Sequence, residues 1–156
     1  MAILTIQPSN IDTYLYEGNK GTNFGLLTYV EVRIYNDGEQ VKTSRPILKF
    51  DFSALPANAT ITAATLNLYF YAYTNYNAAG RTYWAYELTQ TEWVEAEATW
   101  NSYKTGSNWT TAGALDTLIA QINVLSQFFL DALSQFGING HDLRSGLFFL
   151  VHQSPR

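Results

Sequence analysis

Ala64-Thr65-Leu66-Asn67-Leu68-Tyr69-Phe70-Tyr71-Ala72-Tyr73 is the stretch on which the fold turns. Ala64, Leu66, Leu68, Phe70 and Ala72 alternate with Thr65, Asn67, Tyr69, Tyr71 and Tyr73, and a period of two places the aliphatic set on a core face of a β-strand. Leu55-Pro56-Ala57-Asn58-Ala59 precedes the strand as a loop. After it Arg81 to Leu88 alternates again, with Trp84, Tyr86 and Leu88 on one face and Tyr83, Ala85 and Glu87 on the other. Upstream, Asn36-Asp37-Gly38 separates Val30-Glu31-Val32-Arg33-Ile34-Tyr35 from Pro46-Ile47-Leu48-Lys49-Phe50-Asp51-Phe52. Asp-Gly tolerates the positive φ that a tight hairpin demands. Short β-rich runs with Gly, Asn, Asp and Pro between them, and no intervening helices, predict a mainly β fold over residues 1–112, an antiparallel β-sandwich of the jelly-roll type.

The tail is different. All 11 Tyr and 4 Trp precede residue 115, and both His follow it. Leu115, Leu118, Ile119, Ile122, Leu125, Phe129, Leu133 and Phe136 recur at three- and four-residue steps, which predicts one amphipathic helix near 115–136, stopped by Gly137. Its polar face carries only Asp116 and Asp131 as charges, so it needs a sheet or a neighbouring molecule to pack on. Gly146-Leu147-Phe148-Phe149-Leu150-Val151 reads as a last, buried strand. The chain is expected to be a single domain over 1–156, with a sandwich part over 1–112 and an atypical tail over 113–156. At 156 residues it can bury a core without metal or disulfide.

Charged residues are only 14% of the chain while aromatics reach 15%, against roughly 25% charge in ordinary soluble domains. The surface must then be rich in Tyr, Thr, Asn and Ser, which suits stacking recognition or packing against other subunits. A net charge of -4 suits nucleic-acid phosphates poorly. Cysteine is absent, which removes thiolate chemistry and leaves the redox compartment open. The start, Met1-Ala2-Ile3-Leu4-Thr5-Ile6-Gln7-Pro8, has neither a basic region nor a cleavage site of the classical signal-peptide kind, and no apolar run has the length of a membrane span. An extracellular or virion location is still expected, either by cutting from a larger secreted protein or by release at lysis.

Lys49-Phe50-Asp51-Phe52-Ser53-Ala54-Leu55-Pro56, Ala63-Ala64-Thr65-Leu66-Asn67-Leu68-Tyr69 and Trp93-Val94-Glu95-Ala96-Glu97-Ala98-Thr99-Trp100-Asn101 follow one another in the order of the DNRLRE domain family. Asp12-Thr13-Tyr14-Leu15 and Asn23-Phe24-Gly25 stand where that family has its opening motif and its Asn-x-Gly element. The chain resembles this family over about residues 10–112. The resemblance implies a jelly-roll, carbohydrate-binding-module-like domain without catalysis, in a surface protein, a polysaccharide-processing protein or a phage structural protein. It also implies that Trp93 and Trp100 anchor the core. Beyond residue 113 the family's Gly-Trp and Asp-Val-Thr elements are missing. Two explanations stay open: helix and strand replace the missing sheet edge, or the reading frame after Ala112 is altered or truncated.

Glu92, Glu95 and Glu97 are the paired carboxylates that glycoside hydrolysis would need. If 95–100 is extended, however, Glu95 and Glu97 share a solvated strand face, and no enzyme is expected. His141 and His152 lack zinc spacing and triad partners, and G-x-S-x-G and phosphate-binding glycine motifs are absent. Asp12, Asn23 and Asp37 are the candidate ligands of a structural calcium ion, the competing reading being turn-forming side chains that bond their own backbone. Asn58-Ala59-Thr60 and Asn108-Trp109-Thr110 match the glycosylation sequon, with no export signal to give it meaning.

Tyr69, Tyr71 and Tyr73 form an aromatic ladder opposite the core face, and with Arg81 and Tyr83 they are the candidate ligand-binding residues. The rings offer sugar faces a platform, while Arg81, Asn67, Asn75 and Asn77 donate to hydroxyls or to an acidic sugar's carboxylate. The same ladder is equally the surface that a tail helix or a neighbouring subunit would cover. Two functions follow: a carbohydrate-binding or surface-recognition module whose partner is a polysaccharide, or a structural assembly protein of a phage virion or extracellular filament, with homo-oligomerisation possible in either.

Overall fold

In the computed structural model, the residues described are 5, 11–36, 38–56, 59, 65–67, 72, 83–115, 122–124, 129–131 and 147–153. The organising strand is β3 (Val41–Phe50), in which Thr43 to Leu48 are all buried. A continuous buried run of this kind marks a strand covered on both faces, and β3 also has partners on both edges. One edge takes β1 (Ile11–Tyr16), antiparallel from Ile11↔Lys49 to Tyr16↔Ser44. The other takes β2 (Arg33–Asn36), from Arg33↔Ser44 to Asn36↔Val41, and further along it a strand from the tail.

The hairpin expected at Asn36-Asp37-Gly38 is present, with its second strand beginning at Val41, five residues earlier than Pro46. Gly38 takes φ +95° and donates its N–H to Asn36 Oδ1 at 2.9 Å, an Asx turn in which a residue with a Cβ would be strained. Pro46 pairs with Tyr14 on the β1 side. On the other edge it falls between the last β2 pair, at Ser44, and the next strand's first, at Ile47. A residue that cannot donate is tolerated there.

β4 (Thr65–Asn67) and β5 (Tyr83–Glu87) lie within the two alternating runs read from the sequence. β6 (Ser102–Lys104) and β7 (Ser107–Asn108) form a small hairpin, with Gly106 at φ +76° in its turn. The tail supplies β8 (Ile122–Val124), β9 (Phe129–Asp131) and β10 (Leu147–Gln153). β10, the last strand expected at 146–151, inserts between β3 and β5, and the main sheet runs β1-β3-β10-β5-β8 with β2 also on β3. β4 pairs with β9. All the described pairings are antiparallel, and the mainly β architecture expected from the sequence is the one adopted.

The helix expected at 115–136 is overturned where β8 and β9 lie. Ile122, Asn123, Val124 and Phe129 are weak helix formers, and each segment gains a backbone ladder that an isolated helix would forgo. β8 pairs with β5 and β9 with β4. The other residues of 116–136 lie outside those described.

The core sits between β1, β3 and the irregular segment 88–115. Leu15 and Ile47 from the sheet meet Leu88, Trp93, Ala98, Trp100, Trp109 and Ala114, with Ile11, Tyr86 and Tyr103 packed around them. Trp93, Trp100 and Trp109 are 4%, 4% and 5% exposed, so these indoles serve packing and offer no surface for stacking. Trp109 Nε1 donates to Thr99 O at 2.8 Å, and Gly113 N to Trp100 O at 2.6 Å. Arg45 lies with them, its guanidinium 4.7 Å from the Trp100 ring centroid and its Nη1 2.9 Å from Gly113 O. Burial lowers its pKa, while Glu17 and Tyr86 favour the charged form.

Candidate functional site

Of the ladder read from the sequence, Tyr69, Tyr71, Tyr73 and Arg81 lie outside the described residues. Tyr83 opens β5, paired with Gln153 of β10 on one edge and Val124 of β8 on the other. His152 lies on β10 opposite Trp84, and His141 is outside the described residues.

The carboxylates weighed for catalysis hold loops. Residues 95–97 form a turn, not the extended face the sequence allowed, because Glu97 N and Ala98 N both donate to Val94 O, at 3.0 and 2.8 Å. Glu95 Oε1 accepts the Asp12 N–H at 2.9 Å. Glu97 Oε2 accepts the Thr105 N–H at 2.7 Å, a bond that holds the Glu97 carboxyl below its ordinary pKa. Exposed Glu92 pairs with Lys104 at 3.6 Å.

Two of the three candidate calcium ligands lie around the same turn. Asn23 Nδ2 donates to Glu95 O at 2.6 Å and to Ala98 O at 2.7 Å, and its Oδ1 accepts from Gly25 N at 3.1 Å. Its amide therefore clasps the 20–25 loop to the 95–98 turn. A cation would need the oxygen that Gly25 uses. Gly25 closes the clasp, since a Cβ there would fall within contact distance of the Glu95 carbonyl. Asp37 is outside the described residues. Among the described residues no group of three His, Asp or Glu side chains is arranged for a metal ion.

A different surface gathers aromatic and charged side chains. In the sequence Tyr29, Glu31, Arg33 and Tyr35 alternate with Val30, Val32 and Ile34, a period-two signal that marks a strand and also places these four side chains on one face. β2 starts at Arg33, and the β1–β3–β2 register aligns Tyr16, Ser44 and Arg33 across three strands. Adjacent residues in register point to one face, and here they touch. The Arg33 guanidinium lies 5.0 Å from the Tyr16 ring centroid and 5.5 Å from that of Tyr35. Arg33 Nε is 2.9 Å from Glu31 Oε1, which also accepts Ser44 Oγ at 2.7 Å.

Behind this group Tyr14 is buried, its ring 4.4 Å from Phe24 and 6.3 Å from Tyr29. Burial pushes the Tyr14 phenol up to about 12, with the Glu31 charge and Tyr29, which is also its hydrogen-bond partner, adding to the rise and Arg33 opposing it. Tyr14 thus stays a neutral hydroxyl and backs Tyr29. Tyr29 and Tyr35 are 48% and 41% exposed, while Arg33 and Glu31 are half-buried. The result is a surface with two half-exposed rings, Tyr35 against the Arg33 guanidinium and Tyr29 against Tyr14, beside the Arg33–Glu31 ion pair.

Residues 3–120 match carbohydrate-binding module family 96. The chain belongs to that family. The match includes the clasp, the tryptophan core and the Tyr29–Tyr35 face, and it ends before β8. Modules of this class are generally non-catalytic and often extracellular, and the family match agrees with the carbohydrate-binding-module-like domain expected from the sequence. No curated protein matches the chain. In a family 96 module the expected partner is a polysaccharide, and no helix among the described residues is long and apolar enough to cross a membrane.

Proposed function

We propose that this family 96 module holds a polysaccharide without catalysis, through the face formed by Tyr29, Glu31, Arg33 and Tyr35. The observation that carries the reading is the pair of half-exposed tyrosine rings beside a fixed guanidinium and carboxylate. A pyranose ring has an apolar C–H face and a rim of hydroxyls. Tyr29 and Tyr35 offer the first a ring surface, and Arg33 and Glu31 offer the second a donor and an acceptor. The site is prearranged, because Tyr14, itself stacked on Phe24, supports Tyr29, and Ser44 holds Glu31, so little side-chain order is lost on binding. Tyr69, Tyr71, Tyr73, Arg81 and Tyr83 are a second proposed contact set.

The test is a glycan screen on protein whose oligomeric state is fixed by light scattering, repeated with Tyr29→Ala, Tyr35→Ala and Tyr71→Ala. Saturable binding weakened by Tyr29→Ala and Tyr35→Ala in folded protein supports this face, whereas loss only with Tyr71→Ala moves the site to the ladder. Failure of a stable oligomer to bind any glycan would replace the reading with an assembly role.

A further inference from the structure

We infer that Phe24 is the positioning residue of this face: its ring, in contact with both Tyr14 and Tyr16, sets the spacing between Tyr29 and the Arg33 guanidinium. The inference rests on the carbohydrate-binding reading above and names the residue that organises its site.

Tyr14 and Tyr16 alternate with Leu15 on β1, so both rings stand on one face of the sheet. Each carries one half of the proposed site. The Tyr14 ring stacks on Tyr29 at 6.3 Å between centroids, and the Tyr16 ring centroid lies 5.0 Å from the Arg33 guanidinium. Phe24 touches both, stacked on Tyr14 at 4.4 Å and edge-on to Tyr16 at 6.4 Å, spacings at which aromatic pairs attract. A shift of the Phe24 ring therefore reaches Tyr29 through one tyrosine and Arg33 through the other. The second route matters because Arg33 Nε, although 2.9 Å from Glu31 Oε1, is buried without a hydrogen-bond partner. Ring contacts with Tyr16 and Tyr35 then carry the orientation of the guanidinium.

Phe24 itself has little freedom. Before it, Asn23 Nδ2 donates to the carbonyls of Glu95 and Ala98. After it, Gly25 N donates to Asn23 Oδ1, and the Gly25 backbone lies so close to Glu95 that a Cβ would collide with its carbonyl. Phe24 O also accepts the Leu27 N–H at 3.2 Å. The clasp described above thus pins the backbone on both sides of one ring, and the ring it delivers goes to the two tyrosines. Tyr16 is hemmed in as well, since a Cβ on Gly18 would collide with its ring. Side chains ordered in this way by the fold need not be ordered again by the ligand, which is how a residue without ligand contact raises affinity.

The experiment measures binding by affinity electrophoresis in gels containing laminarin, xylan, polygalacturonate or alginate. The proteins are wild type, Phe24→Leu, Phe24→Met, Tyr29→Ala, Tyr35→Ala and Phe24→Leu combined with Tyr29→Ala. Both Phe24 changes keep apolar volume and remove the flat ring; near-UV circular dichroism and the urea midpoint establish that each variant is folded in the assay. On a polysaccharide that wild type binds, Phe24→Leu is expected to weaken binding about ten-fold, since the ligand must then order both Tyr29 and Arg33. In the Tyr29→Ala background the same change is expected to weaken it about three-fold or less, because one of its two routes is gone. In the free protein the Arg33 Nε–H resonance, displaced by the Tyr16 ring, is expected to move in both Phe24 variants. A folded Phe24 variant that binds within about two-fold of wild type, while Tyr29→Ala weakens binding, overturns the positioning role and leaves the carbohydrate-binding reading standing. An Arg33 resonance that stays in place in both variants also overturns it. Equal losses with and without Tyr29→Ala make Phe24 a direct ligand contact and overturn it too. Binding by folded wild type to none of the four polysaccharides and to nothing in the wider glycan screen, or binding that neither Tyr29→Ala nor Tyr35→Ala weakens, overturns the face and the inference together.

Discussion

Replacing Asn23 distinguishes a loop clasp from a calcium ligand, because the two roles predict opposite responses to the same substitution. In Asn23→Ala three hydrogen bonds go: those to Glu95 O and Ala98 O, and the one from Gly25 N. At a net worth of about 1 kcal/mol each, the loss is about 3 kcal/mol. Asn23→Asp retains the acceptor for Gly25 but puts a carboxylate oxygen where the amide nitrogen sat, 2.6 and 2.7 Å from two carbonyl oxygens. Repulsion there makes the near-isosteric change worse than the truncation, by about 1–2 kcal/mol more.

Urea unfolding followed by tryptophan fluorescence reads this directly, since Trp93, Trp100 and Trp109 are buried in the cluster that the clasp closes. With a slope of about 2 kcal/mol per molar urea, Asn23→Ala lowers the midpoint by about 1.5 M. Calcium leaves all three proteins unchanged. If Asn23 were instead a ligand beside Asp12, Asp would bind calcium more tightly than Asn, and saturating calcium would stabilise the Asp variant by about 2.7 kcal/mol at a hundred times its dissociation constant. A calcium-dependent Asn23→Asp at least as stable as wild type, or an Asn23→Ala within about 0.5 kcal/mol of it, refutes the clasp.

Three further outcomes are expected. Gly25→Ala forces a Cβ against the backbone of Glu95 and costs about 2 kcal/mol, seen as a lower urea midpoint with an unchanged slope. Tyr14 has its folded pKa raised from 10.0 to about 12, so its contribution is complete below the unfolded value and is lost as pH rises from about 10 through about 12; over that window wild type should lose more stability than Tyr14→Phe, and equal losses would contradict the shift. Deleting 147–156 removes β10 from between β3 and β5 and should abolish cooperative thermal unfolding, whereas a sharp native-like transition in the shortened chain would contradict the strand order.

Much of the fold was legible because strands announce themselves by alternation. β4 and β5 fall within runs read from the sequence, β10 overlaps the run at 146–151 and continues to Gln153, and the Asn36–Gly38 turn follows from one left-handed glycine. The proposed Tyr29–Tyr35 face is less legible. The densest tyrosine alternation lies at 69–73, whereas Tyr29, Glu31, Arg33 and Tyr35 carry the same period-two signal with charged residues between the two rings. What singles them out is β1, since only the pairing of Tyr16 with Ser44 and of Ser44 with Arg33 brings the guanidinium onto a second ring. The carboxylates were misplaced for a related reason. Alternation of Glu95 and Glu97 fits a strand, but the clasp from Asn23 binds the carbonyls of Glu95 and Ala98, and it lies more than seventy residues away.

The tail shows where periodicity alone stops deciding. An apolar residue every third or fourth position satisfies a helical stripe, yet a helix at a sandwich surface also needs a polar face that water prefers, and 115–136 offers Gln, Asn and Ser with two aspartates. Such a face gains little from solvent exposure as a helix. Local propensity then breaks the tie, and it opposes the helix at Ile122-Asn123-Val124 and Phe129, where β-branched and aromatic side chains lose rotamer freedom against the preceding turn. The deciding contribution is nonlocal: β5 already has β10 on one edge, and its second edge is left with unpaired donors and acceptors unless another strand covers it. A stripe of apolar residues without charges to define its far side is therefore read by the sheet edge that meets it first.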